Sequence, residues 1–143
     1  MAGSADTSIL ALDIGTQRTG VAKANLLLRL PSTLTVLAPD ALADDVARLV
    51  AEHQAVAVVI GLPRSLNGDE TPQTAYVREV AGVIGQRLGA GVPIHFIDEA
   101  LTSVKAEEEL TTRGKPYEKG DIDMLSAVYI LEDFLNSKEG RDV

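Results

Sequence analysis

Apolar residues come in short blocks along this chain, and the spacing within each block sets the element it predicts. SILALDI, at 8–14, is apolar up to one aspartate and reads as a buried strand. VAKANLLLRL, at 21–30, reads as two short strands or one hairpin, with Lys23, Asn25 and Arg29 near its polar positions. Pro31 and Pro39 punctuate the next segment, so 8–37 predicts an antiparallel meander. Asp40 is placed to cap a helix running to about His53, on the stripe Leu42, Val46, Leu49 and Val50.

The second half changes period. AVAVVIG, at 55–61, is a continuous apolar run ended by Gly61-Leu62-Pro63, which suits a parallel strand buried on both faces. Asn67-Gly68 marks a turn. Thr71 then caps a helix with Pro72 at its first position and a core stripe of Val77, Val80, Ala81, Ile84 and Leu88. VPIHFID, at 92–98, is the next strand, and Thr102 opens a short helix to about Arg113. The last helix runs from about Asp121, read as its N-cap, to Asn136. A β meander followed by βαβα predicts one α/β domain with a mixed sheet, spanning 1–143 with its core at about 8–136.

Composition narrows the chemistry. Without cysteine, disulfides and thiolate metal sites are excluded. No run is long and apolar enough for a membrane span, and MAGSADTS has no signal-peptide pattern, so the cytoplasm is the expected compartment. A net charge of −8 disfavours a general electrostatic grip on nucleic acid but leaves room for a local basic rim. With only Phe96, Phe134, Tyr76, Tyr117 and Tyr129 as aromatics, a polynucleotide would be read by backbone and shape.

Three carboxylates stand in costly places. Asp13 ends the first strand, and Glu99 follows Asp98 at the end of 92–98. Ligands gather outside the carboxyl ends of parallel strands, so these two acids can meet. Asp123 extends the stripe Ala127, Ile130 and Phe134 on the last helix, which turns it inward. Convergent oxygen donors select a hard divalent ion, Mg²⁺ or Mn²⁺. Two such ions about 4 Å apart would suit in-line displacement at a phosphodiester. Asp98 reads as a supporting acid, and His53 and His95 as structural. Candidate phosphate contacts are Arg18 in GTQRTG, Arg64 in GLPRSLNG, and Lys119 beside Arg113 and Lys115. Each also has an ordinary reading, as an ion pair or a solvated loop.

ALDIGTQRTGVA, VVIGLPRSLNGDET, FIDEALTS and IDMLSAVYIL resemble, in order, the motifs of the YqgF (RuvX) family. The resemblance covers about Ile9 to Leu135. It implies a ribonuclease H-like fold with a mixed five-stranded sheet and helices on both faces. It also implies a nuclease assigned either to 5′-end maturation of pre-16S rRNA or to Holliday-junction resolution. The family's acids fall on Asp13, Glu99 and Asp123, as catalytic residues and metal ligands together. Ala100 stands where an arginine is usual, and Asn25 where many members carry an acid. The implied partners are pre-rRNA or branched DNA, with the ribosome a further candidate; monomer and homodimer both stay open.

Two other functions fit parts of the pattern. DIGTQRTGVA is similar to the first phosphate loop of actin-like kinases, but those close two domains around ATP and 143 residues supply one. A non-catalytic RNA- or ribosome-binding module would keep the fold, and the complete acidic set argues against it.

Overall fold

The computed structural model describes residues 7–99 and 102–143. The elements run in the order β1 (Ser8–Ile14), β2 (Thr19–Asn25), β3 (Ser32–Leu37), α1 (Leu42–Glu52), β4 (Ala55–Pro63), α2 (Pro72–Leu88), β5 (Ile94–Glu99), α3 (Thr102–Arg113), α4 (Lys119–Asn136) and α5 (Lys138–Arg141). One five-stranded sheet has the order β3-β2-β1-β4-β5. β1, β2 and β3 pair antiparallel, whereas β4 lies parallel to both β1 and β5. The expected meander and the mixed sheet are both present.

Side-chain alternation divides the core into two layers. Leu10, Leu12, Val58, Ile60 and Leu62 face α1 and α2, meeting Val46, Leu49, Val77 and Ile84. Ile9, Ala11, Ala22, Ala57 and Val59 face the other way, under Ala127, Ile130, Leu131 and Phe134 of α4. The small residues of that second layer let α4 lie close on the sheet. Helices therefore cover both faces. Among the described residues, no helix is long and apolar enough to cross a membrane.

Local signals decided some boundaries and missed others. Thr71 caps α2 as expected: its side chain accepts from Thr74 N, and Pro72 comes next. Asp40 does not cap α1; Ala41 holds that position with φ 59° and no side-chain cap bond. β4 continues through Leu62 and Pro63, because β5 pairs with both. α4 begins at Lys119, two residues before Asp121. Asp121 is thus inside the first turn, where its Oδ2 accepts from Glu118 N at 2.8 Å. Asn25 ends β2 by accepting from Leu27 N and Leu28 N, which suits an Asx turn better than a site. Ala100 lies outside the described residues.

Candidate active site

Strand parity puts the acids on one face. Asp13 continues the α4-facing series Ile9 and Ala11, and Glu99 continues His95 and Ile97. Between them runs β4, which presents Gly61 in the series Ala57 and Val59. A Cβ at Gly61 would meet Ile130 Cδ1 at 2.5 Å and Glu99 Cγ at 3.5 Å, so the glycine clears the space between β1 and β5. Asp98 falls on the opposite face by the same alternation. Its Oδ1 accepts from Arg64 Nε at 2.9 Å, in a chain that runs on through Glu70 to Arg78.

Asp123 reaches the site through the backbone. Asp13 pairs with Gly20 across β1 and β2. The face of Gly20 is covered by the main chain of α4 at Asp123 and Met124, with no room for any side chain there. The first turn of α4 therefore sits directly on the strand neighbour of Asp13.

The resulting cleft, about 270 Å³, is lined by Asp13, Glu99 and Asp123 together with Arg64, Gln73 and Ser103, among others. The three acids and Arg64 thus line one cleft. Arg18 is placed beside them: its Nε donates to Asp123 Oδ2 at 2.6 Å. Lys119 does not line this cleft. It is exposed at the start of α4, and Arg113 and Lys115 border a separate cleft beside Tyr117 and the start of β3. The loop basic cluster is not a rim of the acidic centre.

Burial dominates the electrostatics of the cleft. Burial pushes the Asp13 carboxyl from near 3.8 up to about 7, and the charge of Asp123 adds to the effect. Burial also raises Glu99, to about 9, helped by a hydrogen bond with Asp133, while Lys105 pulls the other way. Among the described residues, Glu99 Oε1 is buried with no hydrogen-bond partner. Among the described residues, no three His, Asp or Glu side chains are close enough to hold a metal ion as they stand. Asp123 is instead drawn to Arg18.

Asp133 and Lys105 carried no signal that the sequence patterns picked out. Asp133 lies three positions beyond Ile130 on α4, so extending the stripe along its flank would have found it. Lys105 lies on α3 with its ammonium 4.4 Å from the Tyr129 ring, and nothing local marked it. The histidines are structural, as expected: His53 Nδ1 lies 3.2 Å from Lys23 Nζ, and His95 pairs with Glu139.

This fold has solved counterparts. RuvC of Thermus thermophilus, in complex with a Holliday junction substrate, superposes with a TM-score of 0.58 at 16% identity, covering 92% of this chain and 97% of that one. The shared fold is of the ribonuclease H-like class. The family described as "RuvX: Holliday junction resolvase" matches residues 7–137, and the chain belongs to it. A relative from Chloroflexus aurantiacus is 37% identical over 141 residues, covering 95% of this chain and 91% of its own. Another, from Enterobacter sp. (strain 638), is 39% identical over 132 residues, covering 89% and 94%. Both carry the name "Putative pre-16S rRNA nuclease".

Proposed function

We propose that this nuclease works with a divalent metal ion in the Asp13–Glu99–Asp123 cleft and matures the 5′ end of pre-16S rRNA in the cytoplasm. The observation that carries the metal is the buried Glu99 Oε1, without a hydrogen-bond partner among the described residues, in a cleft where burial raises both strand-borne carboxyls. An all-oxygen donor set of this kind fits Mg²⁺ or Mn²⁺. Asp13, Glu99 and Asp123 would hold the ion or ion pair, which supplies water activation and charge neutralisation at the phosphorus.

The chain's own residues do the rest. Gly61 keeps the cleft floor open between the acids. Arg64, fixed by Asp98 and Glu70, offers a rim contact for a backbone phosphate. Asp133 hydrogen-bonds Glu99 and holds that carboxyl in place. The choice of RNA rests on the relatives' names, since a phosphodiester of RNA or DNA would meet the same acids.

A side-by-side cleavage assay tests this reading. Labelled pre-16S rRNA and a four-way DNA junction are each incubated with Mg²⁺, with Mn²⁺ and with EDTA. Cleavage of the RNA near its 5′ end, abolished by EDTA, is the expected result. Preferential resolution of the junction would reassign the substrate, and cleavage in excess EDTA would remove the metal.

A further inference from the structure

We propose that Arg18 is the resident counter-ion of the metal site, holding Asp123 while no metal is bound and surrendering that carboxylate to the incoming cation. The proposal rests on the metal reading above and concerns its regulation. Its basis is the 2.6 Å bond from Arg18 Nε to Asp123 Oδ2, which joins two residues 105 positions apart.

Both ends of this pair are fixed by backbone. Arg18 closes the tight β1–β2 turn, where Gly15 N donates to Arg18 O at 2.9 Å. Asp123 is fixed by the packing of α4 onto Gly20. The pair is therefore set by the frame of the fold and not by two long side chains meeting on a surface. A guanidinium stays charged at any working pH, so it cannot leave by losing a proton; it has to move. It has somewhere to go. The Arg18 side chain is 34% exposed against 17% for Asp123, so the arginine faces the solvent side of the bond.

A divalent ion and the guanidinium compete for the Asp123 carboxylate, and the proposal is that metal entry and Arg18 release are one exchange. The released guanidinium keeps its donors at the cleft edge, where a substrate phosphate can take them up in place of Asp123. By linkage, whatever engages Arg18 tightens metal binding, and metal binding frees Arg18 for the phosphate by the same factor. Arg18 is on this account a positioning residue before it is a substrate contact.

Isothermal titration of Mg²⁺ and of Mn²⁺ into the full chain tests the exchange, comparing wild type with Arg18→Ala, Arg18→Lys and the double variant Arg18→Ala/Asp123→Asn. Removing the competitor should tighten metal binding about two- to fivefold, the range of a partly exposed ion pair. Arg18→Lys should fall between, and the gain should vanish in the double variant. In thermal unfolding, Arg18→Ala should melt lower than wild type without metal and show a larger rise on adding it. A purely structural arginine would lower the melting temperature and leave metal affinity where it was. Unchanged or weaker metal binding by Arg18→Ala, with wild-type binding intact, would overturn the exchange and leave the metal site standing. Absence of binding in wild type and Arg18→Ala alike would overturn both.

Discussion

Asp13→Asn is the sharpest probe of the electrostatics, because its effect on stability must depend on pH in a particular direction. The Asp13 carboxyl is held at about 7 in the fold, against an ordinary value of 3.8. Below the lower value both folded and unfolded chains are protonated, and nothing is lost. Between the two values the unfolded chain ionises while the folded one keeps its proton, so stability falls as pH rises. Above the upper value both are ionised and the loss levels off. A displacement of roughly three pH units corresponds to about 4 kcal/mol at the plateau, an upper bound. Asparagine does not titrate and escapes the whole slope. Between about pH 5.5 and pH 8.5, the advantage of Asp13→Asn over wild type should widen by about 2 kcal/mol. Glu99 reinforces the trend, since the Asp13 charge is one of the groups raising it. Urea unfolding of both proteins in EDTA at the two pH values measures the gap. Equal stabilities at both, or a loss that is the same at both, would refute burial as the source of the raised value.

Four further outcomes come from the geometry. Gly20→Ala must push the first turn of α4 off β2, so unfolding measurements should show a loss of about 3 kcal/mol or more, with cleavage falling alongside. Asp123→Asn should abolish metal-dependent cleavage with stability within about 1 kcal/mol of wild type, since the lost Arg18 pair is offset by relief of Asp13; Asp121→Ala should cost about 1 kcal/mol through the bond to Glu118 N and keep most activity. Mg²⁺ should raise the melting temperature of wild type and lose that effect in Glu99→Gln, and a flat titration in wild type would count against a preformed site.

Periodicity carried most of the fold because the strands are short and each turn is marked by its own residues. The placement of Asp13 and Glu99 on one face needed only the two-residue alternation of strands and the parallel run of β1, β4 and β5. The inward turn of Asp123 needed only the helical stripe. What escaped the sequence depends on contacts between distant segments. β4 reaches Pro63 because β5 pairs with it, and α4 starts at Lys119, which shifts Asp121 from cap to first turn. Arg18 left two readings open, phosphate or acid, because its partner lies on the last long helix. The Lys119 cluster looked close to Asp123 in sequence, yet the helix start carries it outward.

The contact between Gly20 and α4 ties competence to completeness. Asp13 is made with the first strand and Glu99 with the last, but the third acid arrives on the helix that also roofs Ile9, Ala11 and Val59. As a chain is synthesised from its N-terminus, it cannot assemble the cleft until that helix has settled, and the helix cannot settle without burying the second core layer. A partly made or partly opened molecule therefore holds two acids of the cleft without the third. If these three acids do the cutting as proposed, folding itself acts as the safety catch.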